Sequence, residues 1–211
     1  MLTTNPAAGA VATLEFDAEG WCAQAVREPS PNCDARPDPS DIGLLVIHYI
    51  SLPPGRFGGP YIADLFCNRL DIDADPSFVD LRELRVSSHF LIGRDGALTQ
   101  FVSAKARAWH AGLSSFAGRS ACNDFSIGIE LEGDGNTPFD ERQYRTLLAL
   151  TLALQAAYPL ADVAGHEHIA PGRKTDPGPY FDWQRYRAAL AQQAMPAPNG
   201  HALRFPFLLE S

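Results

Sequence analysis

No stretch of this 211-residue chain approaches the roughly 18 uncharged apolar residues that a membrane helix needs, so no span is expected. Cysteine is scarce, with four residues. Cys22, Cys33, Cys67 and Cys122 form no Cys-x-x-Cys pair, which excludes a zinc ribbon and a thioredoxin-type motif. Cations are in short supply too: 17 Lys and Arg stand against 25 Asp and Glu, a formal net charge of -8. So acidic a chain lacks the basic footprint that nucleic acid or an anionic membrane requires. Neither is expected as a partner, and nothing points to an obligate protein partner. Met1-Leu-Thr-Thr-Asn-Pro6 carries no basic n-region and no long apolar run follows, so no secretory signal is read. The expectation is a cytoplasmic protein whose thiols stay reduced, although four cysteines permit two disulfides in principle. Internal repeats and low-complexity linkers are also missing.

What the chain does have is 45% hydrophobic content, enough for one globular domain with a sizeable core. That domain is expected over residues 21–195. Residues 1–20 read as a mobile or edge-paired extension, and 196–211 as a tail in which Phe205-Pro-Phe-Leu-Leu209 is apolar enough to dock. Ile42 to Ile50 is a continuous apolar run, long enough for a doubly buried strand and too short for a typical helix. Pro60 predicts the start of a short helix through Cys67. Two strand-like runs, Val86–Gly93 and Ala97–Val102, flank Arg94-Asp95-Gly96, a hairpin signal. Ser126–Glu132 reads as another strand. Thr137-Pro-Phe-Asp140 predicts a helix start, with Thr137 as cap. Tyr144, Leu147, Leu148, Thr151, Leu154 and Tyr158 then recur at helical spacing up to Pro159, as a core face. Asp162 to His166 is a short strand, and Phe181 to Ala194 a final helix. Strands and helices alternate with one hairpin among them. This predicts an α/β (α+β) fold, a mixed central sheet flanked by helices.

The chemistry-bearing residues gather around Gly165 to Pro179, where prolines and glycines forbid a continuous helix or strand. Two histidines, a lysine and an aspartate fall between His166 and Asp176 in that loop. A polar surface loop is the plain alternative. His48 ends an apolar strand, the edge at which open α/β sheets tend to place ligands; a core histidine bonded to backbone reads equally well. His48, His166 and Asp176, with water in the fourth position, match the donor set of a catalytic zinc site. The spacing alone is a weak signal, because no single helix aligns these ligands. Glu130 lies among apolar residues in its strand and suits proton transfer beside a metal-bound water. Glu132 shares its face, where a solvated position is expected. Lys174 suits stabilisation of an oxyanion, or is a plain exposed loop lysine.

Longer stretches carry a resemblance. Ser51–Pro60, Arg85-Val-Ser-Ser-His89, Arg107-Ala-Trp-His-Ala-Gly112, Cys122–Gly133 and the loop above are similar to the AmpD family. These are N-acetylmuramoyl-L-alanine amidases with a peptidoglycan-recognition-protein-type (amidase-2-like) fold, and the likeness runs from about Gly20 to Leu190. It implies that His48, His166 and Asp176 hold Zn2+, and that Glu130 and Lys174 are the catalytic pair. It implies a cytoplasmic enzyme acting on small 1,6-anhydro-muropeptides in cell-wall recycling. Arg85 and Arg119 are expected to pair with anionic groups of the stem peptide. Tyr49, where the family often has Asn, is the third expected substrate contact. Ala121 stands where some relatives carry Arg. His168 is expected outside the metal sphere, and His89 and His110 as structural or wall residues; His201 is unassigned. Two other readings stay open: a non-catalytic muropeptide-binding module, and a phage or secreted wall lysin.

Overall fold

A computed structural model describes residues 11–193 and 202–208. Along the chain run β1 (Val26–Arg27), β2 (Cys33–Asp34), β3 (Leu44–Ile50), α1 (Tyr61–Phe66), β4 (Phe90–Ile92) and β5 (Leu98–Gln100). There follow β6 (Arg107–Ala108), β7 (Ser115–Phe116), β8 (Arg119–Ser120), β9 (Ser126–Glu132), α2 (Glu141–Ala157), β10 (Asp162–Gly165), α3 (His166–Ile169) and α4 (Trp183–Gln192).

The apolar run that ends in His48 becomes β3, next to β9 in a six-stranded sheet of order β1-β5-β4-β9-β3-β10. All neighbours in it are parallel except β4 and β5, the hairpin turned by Asp95-Gly96. Gly96 takes φ +82°, which a side chain would strain. The mixed sheet flanked by helices is therefore the architecture the alternating pattern predicts.

Alternation sorts the strands into two faces. Leu45, Ile47, Ile127, Ile129 and Leu131 pack under Leu147, Leu150 and Leu154 of α2 and Tyr186 and Leu190 of α4. Burying each such leucine contributes about 2 kcal/mol. The opposite face starts with Leu44, Val46 and Ala164, packed on Ala111, Cys122 and Phe125, and continues into His48 and Glu130. The apolar half anchors the strands, and the polar half sits at their carboxyl ends.

Two sequence expectations change. Helix α2 begins at Glu141, not after Thr137. Thr137 is held in a turn by Asp134, to whose carboxylate its N–H and hydroxyl both donate. Asp140 caps the helix instead: it accepts the Arg142 N–H, and Gln143 Oε1 accepts the Asp140 N–H, a capping box. Glu132 is buried rather than solvated, because its carboxylate accepts the Gly58 and Arg94 backbone N–H groups. In the segment before residue 21, expected to be mobile or edge-paired, Phe16 bridges Cys22 and lies edge-on to Phe90 and Tyr158. The rest of that expected extension, residues 1–10, lies outside the described residues.

Of the tail, residues 194–201 and 209–211 also lie outside, His201 among them. Arg204 pairs alongside β10 and grips Asp162 through two hydrogen bonds, and Phe205 is buried against Trp183 and Tyr186. Cys22 and Cys122 are buried, Cys33 and Cys67 half-buried, and all four are free thiols. No helix among the described residues is long and apolar enough to cross a membrane.

Candidate metal centre and active site

Three elements deliver the cluster. His48 comes from the carboxyl-terminal half of β3. His166 is the first residue after β10, whose Gly165 pairs with Ile47. Asp176 comes from the following loop, pinned where its carbonyl accepts the Glu167 N–H at 2.8 Å. His48 Nδ1 lies 3.0 Å from His166 Nδ1 and 2.9 Å from Asp176 Oδ2, and His166 Nδ1 is 3.1 Å from the same oxygen. All three residues are buried. Among the described residues they form the one group of His, Cys, Asp or Glu side chains able to share an ion.

The donors fit a divalent cation. Metal bonds of about 2.0–2.1 Å separate tetrahedral ligand atoms by roughly 3.3 Å, close to the observed triangle. The outer nitrogen of His166, Nε2, is 3.1 Å from the Ala111 carbonyl, so it carries the proton and Nδ1 keeps its lone pair. The outer nitrogen of His48 is 2.9 Å from His110 Nδ1. Burial first, then the nearby His166 and Lys174 charges, pushes the His48 imidazole down to about 4 despite Asp176. Burial opposes ionisation of Asp176, but the His166 and His48 rings that face it outweigh burial and hold its carboxyl far below the usual range. A neutral His48 imidazole beside an ionised Asp176 carboxylate is the form of each that a metal binds.

Glu130 sits opposite His48 in the β3–β9 register. Its Oε2 is buried without a hydrogen-bond partner. Burial, and then the Asp176 charge, pushes this carboxyl well above its ordinary value, while Lys174 pulls the other way. Lys174 is exposed on the loop before Asp176, near enough for its charge to act on both Glu130 and His48.

The three expected substrate contacts lie outside the cluster itself. Arg85 is exposed and donates to the Arg82 and Leu84 carbonyls. Arg119 pairs with Asp41 and lies over the Phe125 ring. Neither makes a hydrogen bond or ion pair with the cluster. Tyr49, next to His48 in a strand, must point to the other face; its ring lies against Gly135 and Gly178. Alternation alone carried that signal. His168 stays outside the triangle: its Nδ1 accepts the Gly165 N–H and its ring stacks on Phe207 at 3.7 Å. His110, expected as a structural or wall residue, touches His48, and no spacing in the sequence links the two. Arg173, not singled out from the sequence, donates to the Ala111 and Leu113 carbonyls beside His166.

Comparison with known proteins accounts for this arrangement. The profile of the family described as N-acetylmuramoyl-L-alanine amidase matches residues 38–179, which span His48, Glu130, His166 and Asp176. The 1,6-anhydro-N-acetylmuramyl-L-alanine amidase AmpD of Salmonella typhimurium is 55% identical over 175 residues, 82% of this chain and 94% of that protein. A crystal structure of a selenomethionyl AmpD derivative superposes with a TM-score of 0.81 at 55% identity, covering 83% of this chain and 98% of that one. The amidase AmiD of E. coli, solved with anhydro-N-acetylmuramic acid-L-Ala-D-γ-Glu-L-Lys, superposes at 0.53 with 31% identity, covering 82% and 65%. The register that sets Glu130 against His48 thus belongs to an enzyme fold, and the chain is a member of the N-acetylmuramoyl-L-alanine amidase family of hydrolases.

Proposed function

We propose that this protein is a zinc-dependent amidase that cleaves the bond between the lactyl group of 1,6-anhydro-N-acetylmuramic acid and the L-alanine of the stem peptide, in peptidoglycan recycling. The observation that carries the reading is the triangle of His48 Nδ1, His166 Nδ1 and Asp176 Oδ2, with sides of 2.9–3.1 Å and an unpartnered buried carboxyl beside it. The activity of the AmpD relatives, 1,6-anhydro-N-acetylmuramyl-L-alanine amidases, supplies the substrate class. Four free thiols fit a reducing compartment, in keeping with a cytoplasmic enzyme.

His48, His166 and Asp176 would hold the ion, which when bound supplies a water of pKa about 7 and polarises the scissile carbonyl. Glu130 takes the proton of the attacking water as its oxygen adds to the lactyl carbonyl carbon. The Lys174 ammonium faces the charge that develops on the carbonyl oxygen. Glu130 then gives its proton to the alanine nitrogen, the C–N bond breaks, and a free peptide amine leaves with a lactyl carboxylic acid, which ionises to solvent. Burial suits Glu130 to both steps, since a carboxyl with a raised pKa is a better base and remains a usable acid. Arg85 and Arg119 remain candidates for the stem-peptide carboxylates; Arg119 would have to exchange Asp41 for substrate.

The test is metal analysis of the purified protein, with product identification from one defined anhydro-muropeptide before and after chelation. One zinc per chain and chelator-reversible release of the intact peptide are expected. Full turnover after complete metal removal would refute the reading. Comparing soluble muropeptides with intact sacculi separates recycling from wall lysis.

A further inference from the structure

His48 uses one ring nitrogen inside the cluster and the other outside it. From the outer one a chain of contacts runs away from the site. His48 Nε2 is 2.9 Å from His110 Nδ1, His110 Nε2 is 3.1 Å from Ser126 Oγ, and the Ser126 hydroxyl donates to the Cys122 carbonyl at 2.6 Å. The last member sets the direction of all the others. A carbonyl oxygen only accepts, so the Ser126 proton is committed to Cys122 and Ser126 Oγ is left to accept. The proton between it and His110 therefore sits on His110 Nε2. In the neutral ring His110 Nδ1 then carries a lone pair, which accepts the Nε2–H of His48. What remains on His48 is an Nδ1 lone pair, aimed at His166 and Asp176.

Two observations show that the place is made for this ring. A Cβ on Gly128 would lie 2.5 Å from His110 Cγ and 2.6 Å from its Nδ1, so the imidazole rests on bare backbone of β9. The N–H groups of His110 and Ala111 both donate to Asn123 Oδ1, at 3.1 and 2.8 Å. Ala111 is the residue whose carbonyl orients His166. One amide side chain thus holds the loop that steers both imidazole ligands, and no other part of the mechanism employs Asn123, Ser126 or His110.

We propose that His110, oriented by Ser126 and by the Asn123-held loop, is a positioning residue that locks His48 in its Nε2–H tautomer and so presents Nδ1 to the metal. This deepens the zinc reading above and rests on it. His110 acts through His48. Proteins commonly orient metal-bound imidazoles through such outer hydrogen bonds, and losing one typically weakens metal binding 10–100-fold.

The first experiment uses the zinc-loaded wild-type protein and long-range 1H–15N NMR correlations of its imidazoles. A neutral His110 with its proton on Nε2, and His48 metallated at Nδ1, are expected. A proton on His110 Nδ1, or a doubly protonated ring, would overturn the proposal, and this readout needs no variant. The second compares His110→Asn with His110→Leu, which differ little in shape. Asn can place an amide oxygen where Nδ1 sits and Leu cannot. Zinc dissociation constants from competition with a chromophoric chelator should rise about 10–100-fold in His110→Leu and stay within about threefold of wild type in His110→Asn. Wild-type affinity in a folded His110→Leu would sink the proposal while leaving the zinc site standing. A wild-type protein that takes up no zinc would instead sink the parent reading.

Discussion

Replacing Glu130 by Gln should move activity and stability in opposite directions. The amide keeps the volume of the side chain and stays neutral at every pH, so it cannot take the proton from water. General acid–base groups contribute roughly 10²–10⁴-fold, which is about 2.7–5.5 kcal/mol of barrier. That loss should appear in kcat, with zinc content unchanged, because Glu130 is not among the converging ligand atoms. Stability follows from linkage. Burial and the Asp176 charge raise the Glu130 carboxyl in the folded state, so the unfolded chain releases this proton at lower pH than the folded one does. Below the unfolded value of about 4.3 both states are protonated and the group makes no difference. As pH climbs from there towards the folded value, the folded state binds more protons and stability falls. Metal-free Glu130→Gln escapes this loss, so its advantage over metal-free wild type should be absent near pH 4 and grow towards pH 8. Urea unfolding at both pH values reads the second effect, and chromatographic turnover of a defined anhydro-muropeptide reads the first. Activity within tenfold of wild type, or a stability difference that ignores pH, would refute the reasoning.

Three more outcomes follow from the same geometry. Asp176→Ala removes one corner of the triangle and should abolish both stoichiometric zinc and turnover, measured by metal analysis and product assay; retained zinc would mean that another group is the ligand. His89 is pushed down to about 3 by burial and then by Arg36, and its Nδ1 accepts the Gly128 N–H. It stays neutral in the fold while the unfolded chain protonates below about 6.5, so it costs stability at about 1.4 kcal/mol per pH unit as pH falls from there. His89→Gln should flatten the pH dependence of unfolding by that slope between pH 6 and 4, and parallel curves would contradict the assignment. Gly128→Ala drives a methyl group into the His110 ring, so a loss of about 1–3 kcal/mol in denaturant unfolding should accompany weaker zinc binding; tight zinc binding in a destabilised variant would uncouple the two.

Periodicity and turn chemistry act over a few residues, and what depends on them was legible in the chain. The Leu44–Ile50 and Ser126–Glu132 strands, the Asp95-Gly96 hairpin, the leucine face of α2 and the mixed sheet are of this kind. The residue types of the site were legible too, because few side chains combine metal affinity with a place at a strand end. Where competing hydrogen bonds decide, simple signals failed: Asp134, three residues away, took Thr137 out of the cap of α2, and Gly58 and Arg94, far along the chain, drew Glu132 inside. The same holds for the shell around the metal site. His48 and Asp176 are 128 positions apart, and His110 meets His48 on one side and Ser126 on the other only because β3 and β9 lie side by side in one register. A sequence names the donors; only the packed sheet decides which lone pairs face one another, since hydrogen-bond direction and distance are properties of space and not of order along the chain.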